Sequence, residues 1–232
     1  MHLFYTPDIE KSLELPEEEA VHCLRVLRLT MGDEITLTDG RGFFYKAVIS
    51  VATNKRCQVK IIEKIPEKKG WTGHIHIAMA PTKNMDRTEW FAEKATEIGF
   101  DELTFLNCKL SERKVIKTDR IEKILVSAIK QSLKASVPIL HEMIDFGKFI
   151  TKPINGQKFI AHCYPGMKPL LKDIVKEKED ALVMIGPEGD FSKEEVDAAI
   201  KAGFQPIGLG QSRLRTETAA LVASHILNLK NQ

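Results

Sequence analysis

Apolar residues follow two different rhythms along this chain. Up to residue 65 they recur mostly at every second position, in short runs at 2–5, 35–38, 43–51 and 58–65, which predicts four β-strands. One stretch breaks that rhythm. Across 16–29, Ala20, Leu24 and Leu27 share one face of a predicted helix. Pro16 suits its first turn, where no N–H is needed, and Glu17, Glu18 and Glu19 suit the positive end of its dipole. His22, Arg25 and Arg28 stand three apart and fall together on another face. Asp39-Gly40-Arg41-Gly42 reads as a turn, and the short connections predict a small β-barrel.

From residue 74 onward strands and helices alternate. Strands are predicted at 74–79, 103–106, 139–141, 158–161, 181–185 and 206–209. Between them, a helix at 87–98 ends at Gly99. A second at 119–133 carries Ile121, Ile124, Leu125, Ala128 and Ile129 at helical spacing. Ser192 and Glu195 form a capping box opening a helix to residue 202, closed by Gly203, and a last helix covers 217–229. This alternation predicts an α/β fold, a mostly parallel sheet with helices on both faces. The polar run Pro66-Glu67-Lys68-Lys69-Gly70 marks the boundary, giving a β-rich domain at 1–70 and an α/β domain at 71–232.

Composition narrows the class. With 43% apolar and 28% charged residues the chain is not a disordered one. No apolar run approaches the roughly 20 residues that span a bilayer, and the first residues lack the basic-then-apolar order of a secretory signal. The four cysteines are scattered singly, without a CxxC pair, and the histidines are dispersed, so no metal site is expected and the reading is a cytoplasmic protein without membrane partners. Net charge is only +2, yet residues 109–134 hold eight basic against three acidic side chains. That excess suits phosphate contacts or, equally, a solvated helix face.

Candidate chemistry gathers in the last third. Three loops follow predicted strands: His162-Cys163-Tyr164-Pro165-Gly166, Gly186-Pro187-Glu188-Gly189-Asp190 and 209–218. Parallel sheets bind ligands beyond the carboxyl ends of their strands, and glycines there allow close approach to a planar ligand. Each loop alone is an ordinary strand-to-helix turn; three together point to a shared pocket. No GxxxxGK[ST], GxGxxG, GxSxG or HExxH occurs. The residues thus indicate a nucleotide-like pocket without phosphate machinery, and they stop there.

At these loops the chain resembles the RsmE family, the 16S rRNA uridine-N3 methyltransferases of the SPOUT superfamily. The likeness rests on Ile185-Gly186-Pro187-Glu188-Gly189 and Leu214-Arg215-Thr216-Glu217-Thr218-Ala219-Ala220. It is supported by His22–Arg28 with Gly32-Asp33 and Asp39-Gly40, by Asp86-Arg87-Thr88-Glu89-Trp90 with 94–99, and by Ser111-Glu112-Arg113. The resemblance implies a SPOUT-type C-terminal domain with a deep trefoil knot, a PUA-like barrel before it, and a homodimer. It implies S-adenosyl-L-methionine as cofactor and 16S rRNA of the small ribosomal subunit as partner, with methylation at N3 of a uridine near the decoding centre. The alternatives are a SPOUT enzyme acting on another RNA, at a tRNA base or a ribose 2′-hydroxyl, and a non-catalytic RNA-binding assembly factor.

By position, the resemblance assigns cofactor contacts to His162, Tyr164, Gly166, Ile185, Gly186, Pro187, Glu188, Gly189, Leu209, Gly210, Leu214, Arg215 and Thr218. Arg215 is the candidate catalytic cation, with Arg113 of the partner subunit as a second. RNA contacts are expected from His22, Arg25, Arg28, Lys114, Lys117 and Lys123. Three departures stand out: Asp190 where the family commonly has a second glycine, Ser212-Arg213 in place of Arg-Ile, and Leu133-Lys134 in place of Gly-Arg.

Overall fold

Alternation of inward apolar and outward polar side chains builds a four-stranded sheet in the first part of the computed structural model, which describes residues 2–53 and 56–232. β1 (Leu3–Tyr5) runs parallel to β2 (Glu34–Thr38). β2 pairs antiparallel with β3 (Phe43–Ala52), and β3 with β4 (Cys57–Pro66). Ile35, Leu37, Tyr45, Ala47, Ile49, Cys57 and Val59 all turn inward onto Phe4 and Ile9. Each large side chain so buried contributes roughly 1.5–3 kcal/mol. Two short helices, α1 (Ile9–Ser12) and α2 (Glu17–Val21), also belong here. Residues 13–15 add to the free side of β4, where Leu15 N–H donates to Cys57 C=O and Val59 N–H to Leu13 C=O, both at 2.9 Å. Val126–Val137, placed by the sequence in the second domain, belongs with this unit, whose remainder extends to Lys68.

The helix predicted across 16–29 is shorter and differently wound. Pro16 precedes α2 as its N-cap, and α2 stops at Val21. His22–Val26 form a π-turn closed by Leu27 N–H donating to His22 C=O at 3.0 Å. Arg28 lies beyond it at φ +57°. His22, Arg25 and Arg28 therefore do not share an α-helical face, because their three-residue spacing presumed a pitch the chain does not keep. The wider turn keeps Cys23 buried while Leu24, Leu27 and Leu29 pack against the same core. All three polar side chains are exposed.

The second unit, Lys69–Leu125 with Pro138–Gln232, alternates strand and helix. In order it holds β5 (Ile75–Met79), α3 (Met85–Ile98), β6 (Glu102–Asn107), α4 (Thr118–Ser132, whose last turns count with the first unit), β7 (Ile139–Asp145), α5 (Phe146–Ile150), β8 (Gln157–Ala161), α6 (Leu171–Ile174), β9 (Ala181–Ile185), α7 (Lys193–Lys201), β10 (Gln205–Ile207) and α8 (Thr216–Asn231). The six strands form one parallel sheet in the order β10-β8-β9-β5-β6-β7. All five residues of β9 are buried, as a strand covered on both faces requires. Leu182 and Met184 pack with Phe146, Phe149, Val196 and Ala199 of α5 and α7, whereas α8 covers β5 and β9 and packs on α3. The short helices α5 and α6 were not foreseen. Among the described residues no helix is long and apolar enough to cross a membrane.

The strand order has a direct consequence for function. Because β10, β8 and β9 are neighbours and parallel, the chain leaves all three at the same edge of the sheet, so the three glycine-bearing loops emerge side by side.

Candidate functional site

Those loops enclose a crevice of about 990 Å³. His162, Tyr164 and Gly166 line it from the loop after β8. Ile185, Gly186, Pro187 and Glu188 line it from β9 and its turn, and Leu209, Gly210, Leu214 and Arg215 from the loop after β10. Two expected members are absent. Gly189 faces away, so that a Cβ there would lie 3.3 Å from Leu110 Cβ. Thr218 is replaced by Thr216 and Ala219, which sit three apart on one face of α8. Arg87, Lys168, Leu170 and Gly208 also line the crevice and were missed. The only sequence signal for Arg87 was the helix-opening motif that contains it.

The turn after β9 organises the site. Asp190 N–H donates to Pro187 C=O at 2.9 Å, and a Cβ on Gly186 would lie 3.0 Å from the Phe191 nitrogen, so this tight bend leaves little room for a side chain. Glu188 Oε1 accepts the Lys83 N–H at 2.8 Å, reaching towards β5. Asp190, at φ +65°, reaches the other way: its Oδ2 accepts the Cys163 N–H at 2.7 Å and its Oδ1 the Phe191 N–H at 2.8 Å. Tyr164 adds a second tie, its hydroxyl donating to Phe191 C=O at 2.8 Å. His162 Nδ1 accepts the Tyr164 N–H at 3.2 Å. Burial, then the charge of Lys168, holds the His162 pKa below its ordinary value against the opposing pull of Asp190.

Four cations are among the lining residues. Arg215, the exposed N-cap residue of α8, lines the crevice together with Arg213, Lys168 and Arg87. Arg87 Nε lies 3.9 Å from Oε1 of the buried Glu217, whose Oε2 has no hydrogen-bond partner. Arg113 does not line this crevice. Its guanidinium donates to Thr82 C=O at 3.3 Å and to Lys83 C=O at 2.7 Å, bracing the segment after β5.

Much of the basic stretch is likewise engaged. Arg120 pairs with Glu89 at 2.7 Å, Lys109 with Glu194 at 3.1 Å, and Lys130 with Glu19. Lys114 Nζ donates to Cys108 C=O at 2.9 Å. The side chains of Lys117 and Lys123 remain exposed with neither hydrogen bond nor ion pair among the described residues, as do those of Arg25 and Arg28 in the first unit. No group of three or more His, Cys, Asp or Glu among the described residues could hold a metal ion.

The crevice lies in the range of roughly 300–1,000 Å³ typical of small-molecule sites. Its apolar walls, Ile185, Leu209 and Leu214, and its open main-chain groups suit a planar heterocycle with a polar tail. A parallel α/β sheet with such a pocket at its carboxyl edge is the frame in which α/β proteins bind small ligands. Residues 68–228 match an RNA methyltransferase domain and residues 15–62 an RNA methyltransferase PUA domain, and the chain belongs to this RNA methyltransferase family.

Its relatives are more particular. It is 46% identical to the probable rRNA-methyltransferase of Porphyromonas gingivalis, whose crystal structure matches with a TM-score of 0.96 over 100% of this chain and 98% of that one. It is 28% identical to Ribosomal RNA small subunit methyltransferase E of Aquifex aeolicus, over 98% of this chain and 99% of the relative. The enzyme of the same name from Neisseria gonorrhoeae, solved bound to S-adenosyl methionine, is 28% identical, with a TM-score of 0.85 over 97% and 95% of the two chains.

Proposed function

We propose that this protein is a cytoplasmic methyltransferase that uses S-adenosylmethionine to methylate N3 of a uridine in 16S rRNA of the small ribosomal subunit, near the decoding centre. The observation that carries the reading is the meeting of the three loops at one crevice that Arg215 also lines. The Neisseria relative's bound cofactor supports the choice of ligand. His162, Tyr164, Gly186, Leu209, Gly210 and Leu214 would hold it. When bound, it supplies an activated sulfonium methyl group, so no metal is needed for the transfer.

The chain's own residues have two tasks. The loops align the methyl donor with the incoming base, which can account for a large part of the rate. The second task is electrostatic. Uridine N3 carries a proton at neutral pH, and its release to solvent leaves negative charge spread over O2 and O4. Arg215 is the cation assigned to that charge, with Arg87 beside the crevice as a further source of positive potential. N3 lies on the pairing edge, so the base enters unpaired. Lys117, Lys123, His22, Arg25 and Arg28, with Lys114, are assigned to phosphate contacts.

A homodimer belongs to this reading, and it would bring Arg113 of one subunit towards the other's crevice. So do the knot and the barrel. For the knot, Leu171 N–H donates to Gly208 C=O at 3.0 Å and Gly208 N–H to Pro169 C=O at 2.9 Å, which lays the segment after β8 along the chain leaving β10. For the barrel, residues 13–15 extend one edge of a sheet whose other edge is β1.

The test is transfer of a labelled methyl group to small subunits from a strain lacking the modification, with the product nucleotide mapped by mass spectrometry. The expected product is 3-methyluridine. Label on tRNA or on a ribose oxygen, or no transfer by a protein that binds cofactor, would replace this reading. Arg215→Ala is expected to slow transfer by about 100-fold or more while cofactor affinity changes only a few-fold.

A further inference from the structure

Position 190 is one of the three places where this chain departs from the pattern it otherwise resembles, and the structure gives Asp190 a physical role. A second glycine there would take the left-handed backbone without strain. This chain carries aspartate at φ +65° instead, a conformation that aspartate tolerates better than most residues but less well than glycine. In exchange the carboxylate makes two main-chain contacts that no glycine can make. One, to Phe191 N–H at 2.8 Å, stays within the turn. The other, to Cys163 N–H at 2.7 Å, crosses to the loop after β8.

That second contact matters because of where the two strands lie. β8 and β9 are hydrogen-bonded neighbours, so their loops form adjacent walls of the crevice. Within the wall made of Cys163, Tyr164, Pro165 and Gly166, Tyr164 packs against the core, its N–H donates to His162 Nδ1 and its C=O accepts from Lys168. Gly166 is at φ +125° with open space where a Cβ would stand. The wall's ties to the β9 turn are the Tyr164 hydroxyl on Phe191 C=O and the Asp190 carboxylate on Cys163 N–H. Of these, the carboxylate contact is charge-assisted and the stronger.

We propose that Asp190 is a positioning residue: it fastens the loop after β8 to the turn after β9 and so presets the crevice for its ligand. This rests on the reading of the crevice as the S-adenosylmethionine site. Asp190 also lines the crevice, but a loop held in place before binding spares the ligand the cost of ordering it, so releasing the tie lowers affinity through the loop.

Asp190→Gly separates this role from a merely structural one, because glycine relieves the left-handed backbone while deleting the tie. The full chain carrying Asp190→Gly is expected to fold and melt cooperatively, relief of the left-handed backbone offsetting part of the lost contacts. Its amide at Cys163 is expected to exchange faster with deuterium in the ligand-free state, and calorimetry is expected to show S-adenosylmethionine bound about tenfold more weakly. Asp190→Asn keeps a carbonyl acceptor and the same backbone tolerance, and it should recover part of both effects. It also serves as the working variant if the glycine protein folds poorly.

Unchanged exchange at Cys163, or unchanged affinity despite faster exchange, overturns the proposal. If the wild-type protein itself fails to bind S-adenosylmethionine, the reading of the crevice falls. The exchange measurement then still decides whether the tie exists.

Discussion

Glu188 and Lys83 are joined across the sheet, with one carboxylate oxygen of Glu188 accepting the main-chain N–H of Lys83 at 2.8 Å. Arg113 grips the carbonyls of Lys83 and its neighbour Thr82, so the segment after β5 is held from both sides. A residue that the sequence places in the cofactor loop thus also acts as a brace. Glu188→Gln keeps an acceptor and should change S-adenosylmethionine affinity by less than about threefold, whereas Glu188→Ala should weaken it about tenfold. Titration calorimetry on the two variants checks this, and equal affinity in the alanine protein would remove the brace from the account.

Leu133 closes α4 in the left-handed region, at φ +56°, with the Lys134 N–H donating to Ile129 C=O at 2.9 Å. This is the helix ending that glycine serves best. Leu133→Gly is expected to stabilise the protein by about 0.5–1 kcal/mol in urea unfolding. A loss of stability would mean that the partly exposed leucine side chain outweighs the backbone strain.

His76 should make stability fall as pH drops below neutral. Burial holds its pKa down to about 4 from 6.5, against the opposing pull of Glu102 and with the help of His141, His74 and Lys152. The unfolded chain takes up the proton near 6.5 while the folded chain refuses it until about 4. The folded state is therefore favoured above 6.5 and loses that advantage as pH falls from 6.5 to 4, by up to about 3 kcal/mol. Glu102, held near 2 chiefly by its hydrogen bond to His74, gives up its own contribution only as pH falls below 4.5. His74, raised above 6.5 by the same bond, acts oppositely: its contribution is lost as pH rises through its folded pKa. Denaturation curves of His76→Gln between pH 7 and 4 should be flatter than those of the wild type. Parallel curves would show that His76 does not carry the slope.

Lys117 and Lys123 should contribute to RNA affinity as point charges, Lys114 less so because its ammonium already serves Cys108 C=O. Replacing both Lys117 and Lys123 by alanine is expected to lower the slope of log affinity against log salt by about 1.5, from roughly 0.7–0.9 per phosphate contact. Filter binding to small-subunit RNA across a salt series measures this. A slope that changes as much in Lys114→Ala as in the double variant would contradict the assignment.

Wherever local pattern decides the outcome, this protein is legible without coordinates. The alternation of β2, β3 and β4, the buried run of β9, the Ser192–Glu195 cap and the glycine ending α3 follow from period, burial and backbone freedom. Three glycine-bearing loops could be named from sequence because each follows an apolar strand. Spacing could not show that they meet: that depends on β10, β8 and β9 being neighbours, a matter of long-range pairing. The π-turn at His22–Val26 escaped notice because its register is set by the core it covers and not by its own side chains. Arg87 joins the crevice, and Gly189 and Thr218 leave it, because helix phase and packing against Leu110 decide which way those residues face. Asp190 shows the division most plainly: the sequence marks it as unusual, and only the distance to Cys163 gives it a task.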